Sequence, residues 1–373
     1  MQVNDRQASS YNAPPAPQAL AAQLGFSTSA LIKLDANENP YGPPPAATAA
    51  LASSARSAHR YPDPDASELR VALSGYTGYP PESIVVGNGS DELIDLLCRH
   101  LLRPGDNVVT CPPTFSLYAL AAEQAGAAVL EAPRGSAGGT GFSFDADAVA
   151  ATVDERTKII FLCSPNNPTG DVIGAGDVRR VLGLGPLVVL DEAYVEFSGS
   201  NLLGLTREYG NLVVLRTFSK AFGLAGLRIG YGVFPDDLAQ SLRAAKLPYN
   251  VNALAQAAAL GALRDLAWVE ERAAMIRAER DRLFLELGAM PGLAPLPSAA
   301  NFLLVRIYGP HSTRGLRGLQ ARQVYEALLR RGIMVRHFDR PPLHDYLRIS
   351  TGSTEQNDAL LAAMRAILEQ GET

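Results

Sequence analysis

Lys220 stands in the stretch Thr217-Phe218-Ser219-Lys220-Ala221-Phe222-Gly223-Leu224-Ala225-Gly226-Leu227-Arg228, directly after the apolar run Leu212-Val213-Val214-Leu215. A lysine just past a buried strand, with a hydroxyl beside it and an arginine farther on, suits a phosphorylated aldehyde held covalently. The amine forms a Schiff base, while serine and arginine grip an anion. The alternative is a turn whose lysine and arginine face water, the usual place for charges. Only four of the 33 basic residues are lysine, namely Lys33, Lys158, Lys220 and Lys246. Arginine stands almost wherever a plain positive charge would serve, which adds weight to amine chemistry at Lys220.

Three further stretches end predicted strands. Gly87-Asn88-Gly89-Ser90-Asp91 follows Ile84-Val85-Val86 and opens a helix, so its backbone N–H groups can bind an anion. A plain helix start capped by Asp91 is the alternative. It is not the dinucleotide fingerprint, whose third glycine would fall at Glu92. Ser164-Pro165-Asn166-Asn167-Pro168-Thr169-Gly170 has turn chemistry, yet offers two adjacent amides at the mouth of a sheet. Val188-Val189-Leu190-Asp191-Glu192-Ala193-Tyr194 places a carboxylate at a strand end and a phenol three residues on. Asp-Glu after such a strand resembles Walker B, but no Gly-x-x-x-x-Gly-Lys-Ser/Thr occurs, which excludes that NTPase class. A buried aspartate would instead keep a pyridine nitrogen protonated. Together these stretches offer a lysine for an aldehyde, Asp191 for a ring nitrogen, and Tyr194 and Asn167 for a ring oxygen. Gly89, Ser90, Ser219 and Arg228 serve a phosphate. That set describes pyridoxal 5'-phosphate.

The elements that must position these residues alternate along the chain. Residues 1–30, rich in Ala, Pro, Ser and Gln, read as an arm. Lys33 to Pro43 is a proline-punctuated loop, and Ala46 to Ala58 a helix broken by Arg60-Tyr61-Pro62-Asp63-Pro64. Strands are predicted at 84–86, 107–111, 127–131, 158–163, 187–190, 212–215 and 227–233, with helices at 91–102, 115–124, 145–153 and 175–182 between them. About seven strands alternating with helices imply a mostly parallel sheet covered on both faces, with ligands beyond the carboxyl ends of its strands. Helices follow at 252–263 and 266–288, the second amphipathic and long enough to link two domains. The remaining strands, at 301–305, 334–336 and 346–350, and helices, at 322–331 and up to 368, make a smaller α+β unit. The fold class is thus α/β, a seven-stranded large domain with a smaller α+β domain. Residues 46–270 form the large domain; 1–45 form an arm that packs on the small domain, 271–373.

Composition narrows the class of activity. The chain has 373 residues, 47% hydrophobic and 19% charged, with a net charge of −5. That describes an ordinary globular protein and argues against a nucleic-acid binder, which would carry a basic stripe. No apolar run reaches the length of a membrane span, and no signal peptide is evident. Three cysteines, Cys98, Cys111 and Cys163, form neither a disulfide framework nor a zinc site, and the five histidines lack metal-ligand spacing. A cytoplasmic enzyme without a metal is expected.

In order along the chain, these motifs resemble the fold-type I pyridoxal-phosphate aminotransferases of class I/II, and the sequence is similar to the histidinol-phosphate aminotransferases among them. The resemblance runs from about residue 31 to the last helix. It rests on Asp35-Ala36-Asn37-Glu38-Asn39-Pro40, Arg60-Tyr61-Pro62, Gly89-Ser90-Asp91-Glu92 and Pro113-Thr114-Phe115. Ser164 to Gly170, Asp191 to Tyr194, Ser219 to Arg228 and Leu347-Arg348-Ile349 complete it. It implies that Lys220 holds the aldehyde and shuttles a proton, with Asp191 on the ring nitrogen. Tyr194 and Asn167 would hydrogen-bond the ring oxygen, and Phe115, where many relatives have tyrosine, would stack on the ring. Gly89, Ser90, Asp91, Ser219 and Arg228 would form the phosphate site. Tyr61 would reach into the neighbouring subunit's site, which implies a homodimer. Arg348 would hold the substrate's anionic end, with Arg336 nearby and Tyr11 and Asn37 as helpers.

The reaction implied is ping-pong amino transfer from histidinol phosphate to 2-oxoglutarate in histidine biosynthesis. Two alternatives keep the cofactor: an aromatic amino acid aminotransferase and a threonine-phosphate decarboxylase. A third, a regulator using the same cofactor, needs a DNA-binding domain for which about 30 arm residues leave no room.

Overall fold

Seven apolar runs pair into one sheet in the computed structural model, which describes residues 16–137, 141–308 and 320–370. In chain order they are Ile84–Gly87 (β1), Asn107–Thr110 (β2), Ala128–Glu131 (β3), Thr157–Cys163 (β4), Leu187–Asp191 (β5), Leu212–Thr217 (β6) and Gly230–Val233 (β7). Their spatial order is β1-β7-β6-β5-β4-β2-β3. All neighbours run parallel except β7, which is antiparallel to both β1 and β6. Central strands such as β6, Leu-Val-Val-Leu-Arg-Thr, are buried on both faces because helices cover both. Val213 and Leu215 face one apolar layer, and Leu212 and Val214 face the other.

A second core forms around an antiparallel sheet ordered Leu293–Pro295 (β8), Phe302–Ile307 (β9), Tyr346–Ser350 (β11) and Arg336–His337 (β10). The helix Leu266–Gly288 joins the two cores. Its Val269, Ala273 and Ile276 pack in the large one, and Leu283 and Leu287 in the small one. Ile32–Lys33 pairs in parallel with Ile333–Met334, so the segment that leads to Asn37 starts from the small core.

Several boundaries differ from the sequence reading. The predicted strand 227–233 starts only at Gly230. A 3-10 turn, Ala225–Leu227, precedes it, and Arg228 is left-handed with φ 52°. Helices Ser67–Thr77 and Asp236–Ala245 add to the elements expected from the sequence, and Pro17–Leu24 is helical within the arm. Asp236–Ala245 buries only Ala239 and Leu242, too few apolar positions to stand out from its charges.

One buried ion pair ties β5 to β6. Arg216 donates to Glu192 from Nε at 3.0 Å and Nη2 at 2.7 Å, and Nη2 also reaches Asn201 Oδ1 at 2.8 Å. Glu192 Oε1 accepts from the Leu202 N–H at 2.8 Å. Both charged side chains are almost fully buried, so each depends on the other. Glu192→Ala strands the guanidinium and is expected to cost about 3–5 kcal/mol, read as a lower urea midpoint. Glu192→Leu combined with Arg216→Met should cost less than either single change.

Candidate active site

The carboxyl ends of β4, β5 and β6 open on one cleft of about 1440 Å³. Lys220, Asp191, Tyr194, Asn167, Ser90, Asp91, Phe115, Ser219, Arg228, Asn37, Arg336 and Arg348 all line it. Residues scattered over more than 300 positions meet because each follows a strand or packs across the strand ends.

Lys220 lies in the tight turn after β6. Its Nζ donates to the Ala36 carbonyl at 3.1 Å and stands 5.7 Å from the centre of the Tyr194 ring. Burial, helped by the nearby Arg348 guanidinium, pushes its ammonium down to about 8. The neutral amine is therefore far more accessible near physiological pH than that of an ordinary lysine, although the ammonium is still the major form below pH 8. The turn needs Gly223 (φ 66°), because a Cβ there would sit 2.2 Å from the Gly42 carbonyl oxygen. That close approach, with Asn39 Nδ2 donating to the Ala221 carbonyl at 2.8 Å, seats the segment 35–42 directly over Lys220.

Asp191 ends β5. Its Oδ2 accepts from the Tyr118 hydroxyl at 2.7 Å and Oδ1 from the Ala193 N–H at 3.0 Å. Burial raises its carboxyl to about 6 despite these donors. A buried carboxylate held by neutral donors favours a cation beside it, which is what a protonated ring nitrogen supplies. Tyr118 was missed in the sequence, although it lies one helical turn past Phe115. The ring of Phe115 meets it edge-on at 5.6 Å.

The anion cradle stands at the start of helix Ser90–Leu101. Gly89 adopts φ 81° and ψ 164°, a backbone conformation essentially restricted to glycine, and the open space beside its Cα lets Arg228 Nη2 approach closely. Arg228 in turn pairs with Asp91 Oδ2 at 2.7 Å. Asp91 thus holds the arginine rather than facing the cleft unengaged. Ser219 is buried, and its Oγ lies 3.0 Å from Thr217 Oγ1. Helix N–H groups, two hydroxyls and a guanidinium around one cradle fit a phosphate.

Arg348 Nη1 donates to Asn167 Oδ1 at 2.7 Å, and Nη2 to the Asp35 carbonyl at 2.5 Å. The amide oxygen of Asn167 is thereby taken, which leaves its N–H groups for a ring oxygen. Arg336 stands opposite Arg348 in the β10–β11 register, so the two side chains share a face. Asn37 is fully buried and bonds Tyr194 and Ser350. Tyr61 stands apart from the cleft of its own chain, 81% exposed and stacked on Tyr249 at 4.5 Å. Tyr11 lies outside the described residues. Among the described residues, no group of His, Cys, Asp and Glu is placed to hold a metal ion, and no helix is long and apolar enough to cross a membrane.

Because Lys220 is held near 8, the neutral amine becomes the major form as pH rises through that value. In cofactor-free protein, the rate of covalent attachment of pyridoxal phosphate should rise and level off just above pH 8. An ordinary lysine would keep accelerating past about pH 10. Replacing Arg348 by Gln removes a repelling charge and should move the midpoint upward, a shift that stopped-flow absorbance would read.

Comparison with known proteins agrees with this geometry. The family described as aminotransferase class I and II matches residues 29–364. The chain is 48% identical to the histidinol-phosphate aminotransferase of Roseiflexus castenholzii, covering 94% of this chain and 93% of that one. It is 44% identical to histidinol-phosphate aminotransferase 1, chloroplastic, of Arabidopsis thaliana, over 96% of this chain and 84% of that one. Its structure is similar to that of histidinol-phosphate aminotransferase from Sinorhizobium meliloti in complex with pyridoxal-5'-phosphate. The TM-score is 0.84 at 29% identity, covering 97% of this chain and 96% of that one. The chain therefore belongs to the class I and II aminotransferases.

Proposed function

We propose that this chain transfers the amino group of histidinol phosphate to 2-oxoglutarate in histidine biosynthesis, with pyridoxal phosphate held at Lys220. The observation that carries the reading is one cleft lined by a buried amine, a buried carboxylate and two register-paired arginines. The 48% identity to a histidinol-phosphate aminotransferase supports the choice of donor.

Bound pyridoxal phosphate supplies an aldehyde for amines and a ring that draws electron density from the amine-bearing carbon. Asp191 keeps the ring nitrogen protonated, and Tyr194 and Asn167 present donors to the ring oxygen. Phe115, which lines the cleft, would pack on the ring face. Ser90, Ser219, Arg228 and the helix N–H groups after Gly89 hold the phosphate, with Asp91 orienting Arg228. With the cofactor bound, the Lys220 amine would be the base that takes the proton from the amine-bearing carbon of the donor and gives it to the cofactor's former aldehyde carbon.

The two substrates carry different anions, a phosphate on the donor and carboxylates on the acceptor. Arg348 and Arg336 suit both, because a planar guanidinium pairs bidentately with either. Binding at Arg348 would exchange its contacts to Asn167 and the Asp35 carbonyl for the substrate's oxygens. We propose a homodimer in which exposed Tyr61 completes the neighbouring subunit's phosphate site. We place the reaction in the cytoplasm, where the three buried free thiols stay reduced. Residues 46–270 serve as the cofactor-holding unit, with the small core carrying the two substrate arginines.

The test is a donor comparison with purified protein. Histidinol phosphate and 2-oxoglutarate should yield glutamate faster than phenylalanine does. Carbon dioxide released from threonine phosphate would favour the decarboxylase instead. Arg348→Ala should lower kcat/KM for histidinol phosphate by roughly 10- to 100-fold, the value of charged hydrogen bonds lost. Lys220→Ala should abolish transfer, and full activity in that variant would overturn the reading.

A further inference from the structure

Asn37 is 1% exposed, and its hydrogen-bonding groups are engaged within the protein. Its backbone N–H donates to Ser350 Oγ at 2.8 Å, and the same Oγ lies 2.9 Å from Asn37 Oδ1. A serine oxygen that accepts from the N–H still has its own proton to give, and that proton goes to Oδ1. This contact decides which end of the amide is which: oxygen toward Ser350, nitrogen toward Tyr194. Asn37 Nδ2 lies 3.0 Å from Tyr194 Oη. An amide nitrogen only donates, so the phenol oxygen accepts there and its own proton must point elsewhere.

The surroundings leave one direction for that proton. Tyr194 is 4% exposed, and Phe302 meets its ring edge-on at 5.2 Å. Its open side faces the cleft, which it lines with Lys220 and Asn167. Asn37 cannot swing away, because its backbone is left-handed (φ 55°) and Asn301 Nδ2 donates to its carbonyl at 2.9 Å. Asparagine tolerates that backbone better than most residues. Ser350 and Asn301 are themselves buried.

We infer that Asn37 is a positioning residue that fixes the Tyr194 phenol as a hydrogen-bond donor into the cleft. The inference rests on the reading above, in which the ring oxygen of pyridoxal phosphate is the acceptor. A donor at that oxygen stabilises its negative charge and so sets how readily the bound group gives up its proton. Asn37 then acts through Tyr194 and not by touching substrate, because both ends of its amide are already used.

The experiment is a pH titration of the visible absorbance of purified holoenzyme. Asn37→Asp places an acceptor opposite the phenol, turns its proton away from the cleft and should raise the absorbance midpoint by about one pH unit. Tyr194→Phe should raise it in the same direction. In the Tyr194→Phe background, Asn37→Asp should move the midpoint by less than roughly half as much, the remainder being its bare charge. Equal shifts in both backgrounds would overturn the inference, since a merely structural or electrostatic role does not act through the phenol. Should Asn37→Asp not fold, Ser350→Ala frees the amide to flip and should give a smaller rise that vanishes in the Tyr194→Phe background. No shift, or one that persists there, overturns it as well. A colourless wild-type protein with no borohydride-fixed group on Lys220 would overturn the cofactor reading too, whereas a yellow one with unmoved midpoints overturns this inference alone.

Discussion

A half-buried amine that donates to a backbone carbonyl, and whose ammonium is pushed down chiefly by lost solvation and by a nearby guanidinium, is the constraint on which the site turns. Asp91 and Glu38 pull the Lys220 ammonium upward, but burial and the Arg348 guanidinium outweigh them. Ala36 offers only a carbonyl dipole, and Arg348 adds repulsion. Such a lysine is held near neutrality at a cost that the rest of the structure must carry. The segment 35–42 carries part of it. Gly42 presses on Gly223, Asn39 bonds the Ala221 carbonyl, and Asn37 is locked between Ser350 and Asn301.

That segment also explains why two cores are needed. It begins in the small core, where Ile32–Lys33 pairs with Ile333–Met334, and ends against the large core at the Lys220 turn. Arg348 reaches back across the same gap to the Asp35 carbonyl and to Asn167. Arg348, proposed to meet the substrate's anion, is therefore bonded to the segment that holds the lysine, through two adjacent peptides. Anion binding at one end and amine basicity at the other are joined by charge and by a shared backbone.

How much of this was legible in the sequence follows from where the information lies. Strands β1, β2 and β4 to β6 are readable because residues buried on both faces give apolar runs, and the polar motifs that follow several of them mark the rim; β3, at the sheet edge, is only partly buried. The reversal of β7 was not readable, since its run looks like any other. Yet it is this reversal, entered through a left-handed Arg228, that brings the guanidinium back to Gly89 and Asp91. Tyr118 was hidden in a helix whose apolar spacing accounted for it fully. Ser350 and Asn301 carry no local signal at all. Their role exists only through contacts across more than 250 residues of chain. Motif residues are legible because chemistry restricts their type; the residues that orient them are restricted only by three-dimensional neighbours.

Burial then gives the two central charges opposite tasks by one mechanism. The same low-polarity surroundings push Asp191 up to about 6 and Lys220 down to about 8. Left alone, both are driven toward neutrality, the state in which each is least strained. In the proposed reading, a ring with a cationic nitrogen beside Asp191 would supply the missing counter-charge there. Asp191 would thereby be held ionised as the anchor of an electron sink, while the Lys220 amine would stay ready to accept a proton. Two titratable groups in one cleft would thus be separated in function by which of them the cofactor's charge reaches.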